Sequence, residues 1–287
     1  MSHDSHTRID DQLAKPLILI TNDDGIRSSG LLAAASACAP LGELLIAAPA
    51  VQQSAIGRAK PPASSGRIFE EPLLLTVGGE SVATNGYAVE GTPAQVVEHT
   101  MVELAKRPVD LVVSGINFGE NIGEGITTSG TVGAALEAAS FDVPALAVSL
   151  QTDPQHYYNH DAALDFTVAA YFVAVVARAL LANGLPPGAD LLKLDVPAGA
   201  TTATPIRWTR LSRDRYFYPV PKSRKHLNDP APLGFEHRAD AFKLETDSDV
   251  RAVVLDHVVS LTPLIRDLTA PFDAETLAEW LGTKGKP

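Results

Sequence analysis

Apolar and polar positions alternate along the first half of the chain in a strand-then-helix rhythm, the pattern of a parallel sheet covered on both faces. Residues 17–21 are an apolar run of buried-strand length, 31–39 an Ala- and Leu-rich helix stopped by Pro40 and Gly42, and 44–48 a second strand ended by Pro49. Residues 73–77 and 81–84 flank Gly78-Gly79 and predict a hairpin. Thr92, Pro93 and Gln95 supply N-cap, first helical residue and capping box for a helix running to about Arg107. Strands at 110–114 and 144–150 enclose a glycine-bearing loop, 115–128, and a helix that Ser129 can cap and that ends near Phe141. A buried helix over 162–183, strands at 191–196, 206–209, 252–255 and 258–261, and a last helix at 274–281 behind Asp273 follow.

The rhythm fails between 211 and 250. Residues 207–225 hold seven basic groups against Asp214 alone, with Tyr216, Phe217 and Tyr218 among them, and four prolines stand at 219, 221, 230 and 232. Such a stretch predicts an arm or lid rather than core. Aromatics left in water are costly, so the arm, at about 212–250, is expected to cross to a second copy of the chain and make it a homodimer or homotetramer.

Composition narrows the function. A chain of 287 residues, 45% hydrophobic and 20% charged, can bury a sizeable core. A net charge of -11 argues against general nucleic-acid binding. It leaves room for a small phosphorylated substrate, because a cation and a few arginines can reverse the potential inside one cleft. The single cysteine, Cys38, lies in an apolar helix, excludes an internal disulfide and suits a reduced, cytoplasmic protein. Residues 1–15 read as a polar, disordered extension without a signal-peptide core, 16–287 as one domain, and no apolar run is long enough to span a membrane.

The candidate chemistry sits where strands end. Asn22-Asp23-Asp24-Gly25 follows a buried strand: two adjacent carboxylates there repel each other unless a divalent cation lies between them, while the same residues could simply close an Asx-type turn. In a parallel sheet the next loop lies alongside, so Ser54 could add a neutral oxygen or be an ordinary surface residue. Between glycines 115, 119 and 123, Asn117 and Asn121 project amides that can ligate a hard cation or hold a phosphate oxygen. Ser129-Gly130-Thr131 then offers free backbone N–H groups and two hydroxyls at a helix start, an anion site and so a substrate-binding candidate. His99 reads as a surface or satisfied residue.

These blocks together resemble the SurE family, the stationary-phase survival proteins. The resemblance covers about 17–281 and rests on Thr21-Asn-Asp-Asp-Gly-Ile26, Ala48-Pro49 with Ser54, Gly91-Thr-Pro93, Ser114-Gly-Ile-Asn-x-Gly-x-Asn-x-Gly123, Ser129-Gly-Thr-Val132, Pro144-Ala145 and Thr262-Pro263. It implies a Rossmann-like three-layer α/β sandwich with a mostly parallel sheet and a C-terminal extended arm exchanged between subunits. It also implies a divalent-metal-dependent nucleoside monophosphatase and acid phosphatase, with the metal on Asp23, Asp24, Ser54 and Asn117. The oxygen donors favour one Mg²⁺ or Mn²⁺ per subunit. Asp23, Asn121 and Ser129 are then the catalytic candidates, and the substrate is a nucleoside 5′- or 3′-monophosphate held by Asn121, Ser129, Gly130 and Thr131. The chain departs from the family at Thr128, where Tyr or His is common, and at Gln95, Ala138 and Ile265. Thr128 gives weight to the alternative, a nucleotide-binding or assembly protein of the same fold with weak or lost phosphatase activity.

Overall fold

The computed structural model describes residues 15–157, 164–240, 244–270 and 273–283. Residues 1–14, and with them nearly all of the expected N-terminal extension, lie outside the described residues. The first strand, β1 (Leu17–Thr21), is buried throughout and sorts its side chains by alternation. Ile18 and Ile20 face a core built with α1 (Ser29–Cys38) and α4 (Thr167–Asn183). Leu17 and Leu19 face the opposite core, built with α2 (Pro93–His99) and α3 (Gly130–Ser140). Two helical layers therefore sandwich the sheet, the three-layer arrangement expected.

The remaining strands of this sheet are β2 (Glu43–Pro49), β3 (Ile68–Val77), β4 (Glu80–Val89), β5 (Leu111–Phe118), β6 (Ala145–Leu150), β7 (Leu191–Val196), β8 (Ile206–Trp208) and β11 (Val259–Leu264). Their order is β3-β4-β2-β1-β5-β6-β7-β11-β8. The run from β4 to β7 is parallel, β3 and β11 are antiparallel to their inner neighbours, and β8 runs parallel to β11. From β1 the chain goes to β2 on one side and returns to β5 on the other. Such a reversal opens a crevice beyond the carboxyl ends of β1 and β5, where open α/β sheets bind ligands. Among the described residues no helix is long and apolar enough to cross a membrane.

Some elements differ from expectation for definable reasons. The hairpin around Gly78-Gly79 is longer, with Ile68 to Val77 paired against Glu80 to Val89. Helix α2 ends at His99 and widens into a π turn, Thr100–Leu104. β5 does not stop at Ser114 but continues through an irregularity to pair Asn117 with Ser149 of β6. Gly115 permits this, with φ +134° and an ideal Cβ position only 2.3 Å from the Val148 carbonyl oxygen. The strand expected at 252–255 is a π-helical turn, Arg251–Leu255. A short apolar run does not distinguish a strand from a buried helical turn, and Asp249 begins the turn by accepting the Val250 N–H.

The arm also requires correction. It contains a hairpin, β9 (Phe217–Val220) with β10 (Gly234–His237), and it does not simply leave its own core. Tyr216, Leu244, Val250 and Val253 pack with Ile122 into a small third core on the same chain. Its tip projects, with Leu227 92% exposed.

Candidate active site

Turn chemistry and site chemistry share the loop after β1. The Asn22 side chain closes the turn, donating to the Gly25 carbonyl at 3.2 Å and accepting the Gly25 N–H at 3.1 Å, with Gly25 at φ +101°. Asn22 thus meets the demands of the backbone, and the carboxylates of Asp23 and Asp24 face the crevice. They line a cavity of about 530 Å³ together with Ser54, Asn117, Asn121 and Ser129. That size is within the range of small-molecule sites.

Asp23 is the most perturbed carboxyl there. Burial and then the neighbouring Asp24 charge push it up to about 7, against the opposing pull of the Thr131 hydroxyl and backbone N–H. The Thr131 hydroxyl donates to Asp23 Oδ1 at 2.5 Å. Gly130 makes the approach possible, because a Cβ there would stand 2.7 Å from the Asp23 Cβ and 2.8 Å from Oδ2. The anion received by the first turn of α3 is therefore Asp23 itself, and Thr131 is buried outside the cavity lining. Ser129 does line the cavity, and its hydroxyl accepts the Val132 N–H at 3.1 Å as the helix cap.

The Asn117 Nδ2 donates to the Gly119 carbonyl at 2.7 Å, which leaves its Oδ1 as an acceptor in the cavity. Asp24, Ser54 and Asn117 complete an oxygen-only donor set with Asp23, chemistry that fits a hard divalent cation. Among the described residues no three His, Cys, Asp or Glu side chains converge on one point, so such an ion would rest on two carboxylates and neutral oxygens. A cation would also relieve the repulsion that raises Asp23.

Asn121 is held by its backbone, which donates to Asp195 at 3.0 Å and to Ser149 at 3.3 Å. Among the described residues its side-chain Nδ2 is buried without a hydrogen-bond partner. An unpaired buried donor is costly, and because Asn121 lines the cavity this one is a candidate for an acceptor such as a phosphate oxygen. Thr128 instead turns its hydroxyl to the Gly125 carbonyl at 2.9 Å.

Of the far wall, Glu120, Tyr157 and Phe235 were not singled out in the sequence. Glu120 accepts from Tyr216 at 3.0 Å and Tyr157 at 3.3 Å, and burial raises its pKa above the ordinary carboxylate range. Phe235 and Tyr157 stack at 6.1 Å between centroids, and both line the cavity with Phe217. Arg215 pairs with Glu124 at 2.6 Å at its rim. The available sequence signal was Glu120 and Glu124 standing among the glycines and amides of the 115–128 loop, and the aromatic trio of the arm. Cys38 is buried in α1, and its thiol is pushed up to about 12 by burial, so it stays out of the chemistry.

A doubly wound sheet with an oxygen-lined crevice at its switch point defines an α/β protein with a small-molecule site whose donors suit a hard cation. Residues 18–218 match the profile of the family described as Survival protein SurE, and the chain belongs to that family. It is 38% identical over 267 residues to the 5'-nucleotidase SurE of Thermococcus kodakarensis, covering 92% of this chain and 98% of that protein. Against the 5'-nucleotidase SurE of Methanocella arvoryzae it is 42% identical over 259 residues, 88% and 93% of the two chains. The crystal structure of the SurE protein from Aquifex aeolicus superimposes with a TM-score of 0.72 at 25% identity, covering 93% of this chain and all of that one.

Proposed function

We propose that this chain is a metal-dependent phosphomonoesterase that converts nucleoside 5′- or 3′-monophosphates to nucleoside and phosphate. The observation that carries the reading is Asn121, whose buried side-chain amide nitrogen has no partner among the described residues, lining the same cavity as Asp23, Asp24, Ser54 and Asn117. Membership of a family whose curated relatives are named 5'-nucleotidase supports the substrate class.

Asp23, Asp24, Ser54 and Asn117 would hold one Mg²⁺ or Mn²⁺, which when bound polarises the phosphoryl group and acidifies a water. Asn121 donates to one non-bridging oxygen. Ser129, whose lone pair is taken by Val132, donates to another. Both hold the ester while negative charge spreads over the phosphoryl oxygens. Asp23 accepts the proton of the attacking water as the new phosphorus–oxygen bond forms and the ester oxygen leaves, protonated by solvent. Tyr157 and Phe235 offer flat surfaces on which a base can stack.

The reading extends to residues 16–287 as one catalytic unit in a cytoplasmic homodimer or homotetramer joined through the arm tip. Phosphate release from a panel of nucleoside monophosphates, with Mg²⁺, Mn²⁺ or chelator, tests the activity. Cation-dependent release is expected; nucleotide binding without release would instead support a binding or assembly role.

A further inference from the structure

β7 buries two ionisable groups, and the root of the arm a third, that the proposed reaction does not use. Lys193 and Asp195, two residues apart on one face of the strand, are 1% and 0% exposed, and Asp249, from the root of the arm, is 0% exposed. Lys193 Nζ bonds Asp195 Oδ2 and reaches Asp249 Oδ2 at 3.1 Å. Burial alone would strip its proton, and the two carboxylate charges outweigh that, so the group is an ammonium. Apolar side chains of similar volume would fill these positions with no desolvation cost, so the triad needs a reason beyond packing.

The other bonds of the two carboxylates supply one. Asp195 Oδ1 accepts the Asn121 N–H at 3.0 Å and the hydroxyl of Ser149, which itself touches the same N–H. Asp249 Oδ2 accepts the Gly123 N–H at 3.0 Å, while its Oδ1 takes the N–H groups of Ser212 at 2.9 Å and Val250 at 2.8 Å. Two amides of the Asn121 loop and the first residue of the arm thus end on a single buried charge cluster. None of the three charged residues lines the cavity.

We propose that Lys193, Asp195 and Asp249 are positioning residues that fix the backbone at Asn121 and Gly123, aim the Asn121 amide at the phosphate and tie the root of the arm to the same point. This rests on the reading of Asn121 as a phosphate ligand. The cluster acts through Asn121 and not on the cation, whose candidate ligands come from other bonds.

Asp195→Asn and Ser149→Ala test it, each alone and combined with Asn121→Ala. Each single change is expected to lower kcat for a nucleoside monophosphate about tenfold to a hundredfold, the scale of lost outer-shell support, and to leave Mn²⁺ affinity unchanged. In the Asn121→Ala background neither should lower kcat further. Multiplying losses in that background, an unchanged kcat in the single variants, or a parallel fall in Mn²⁺ affinity overturns the proposal. Should Asp195→Asn not fold, Ser149→Ala carries the comparison. Backbone amide exchange at Asn121 and Gly123, measured without substrate, separates this proposal from the assignment of activity. Exchange at least about tenfold faster at Asn121 in either variant supports positioning even if no nucleotide is hydrolysed, and unchanged exchange defeats it.

Discussion

The Thr131 hydroxyl donates to Asp23 Oδ1 at 2.5 Å, joining the start of α3 to the end of β1 across 108 residues of chain. The sequence places Thr131 in an anion site, and the anion it meets is a side chain of the protein itself. Thr131→Val is therefore expected to destabilise the metal-free protein by about 1–3 kcal/mol, the scale of a lost hydrogen bond to a charged group, and to lower kcat. Thr131→Ser should restore both. Calorimetric titration with inorganic phosphate checks the assignment: selective loss of phosphate affinity, with stability and kcat intact, would return Thr131 to the substrate.

Asp23 and Asp24 are both 5% exposed, and the repulsion between them is one cause of the raised Asp23 pKa. Asp23→Asn and Asp24→Asn should each cut activity by at least about 10²-fold, since a general base and a cation ligand are at stake. In chelator at pH 8, Asp23→Asn should raise unfolding stability by about 1–3 kcal/mol, because an uncharged group replaces a buried carboxylate. Denaturant unfolding with and without Mg²⁺ measures this. A variant with wild-type activity would remove Asp23 from the mechanism.

Much of this geometry could be read from the chain, and the limits follow from distance along it. The five-residue run before Asn22 made β1 and its two aspartates legible, and alternation made the sheet legible. Asn117 was placed on a loop, although the close approach at Gly115 carries it at the end of β5. Thr131 announced a hydroxyl at a helix start but not which anion would occupy it. Glu120 and Tyr157 draw their significance from partners on other elements, which spacing does not reveal, and Lys193 draws part of its own from Asp249 at the root of the arm. At 252–255 local pattern was ambiguous, and an acceptor from Asp249 decided for a helical turn.

Glu120 carries a pH dependence whose sign is fixed by its environment. Burial raises its folded-state pKa, so the folded protein binds the proton more tightly than the unfolded chain does. Its contribution is most favourable below the ordinary carboxylate range and is lost as pH rises from that range through the raised value. Glu120→Gln removes this component, so the stability of the variant relative to the unsubstituted protein should increase with pH across that window. Urea titrations of both proteins from pH 4 to about pH 8 read the difference. A flat difference would mean that Tyr157 and Tyr216 stabilise the carboxylate enough to cancel its burial.

The exposed tip of the arm is the expected contact with a second copy. Leu227 and Leu233 are 92% and 65% exposed, whereas the root residues Tyr216 and Leu244 are buried in the chain's own third core. Replacing 222–232 by a short Gly/Ser linker should lower the oligomeric state without unfolding the sheet. Light scattering and circular dichroism check the two halves of that statement. A monomeric intact protein, or an oligomer indifferent to the replacement, would remove the tip from assembly.

The aromatic wall predicts a division between base and phosphate. Tyr157 comes from the loop after β6 and Phe235 from β10, so the stacked pair exists only while the arm lies over the cavity. Asp23, Asn117 and Asn121 belong to the ends of β1 and β5 and the loop behind them, and they act on the phosphoryl group whatever it is attached to. Phe235→Ala should therefore raise KM for a nucleoside monophosphate about fivefold to a hundredfold, from a stacking contribution of about 1–3 kcal/mol per base. The same change should leave KM for a small phosphomonoester without a base nearly unaltered. Tyr157→Ala should raise KM for both substrates, because it loses the stack and also the hydroxyl that donates to Glu120 at 3.3 Å beside Asn121. Steady-state kinetics with a nucleotide and with p-nitrophenyl phosphate distinguish the two variants. Equal KM effects of Phe235→Ala on both substrates would show that the arm closes over the phosphate and not over the base.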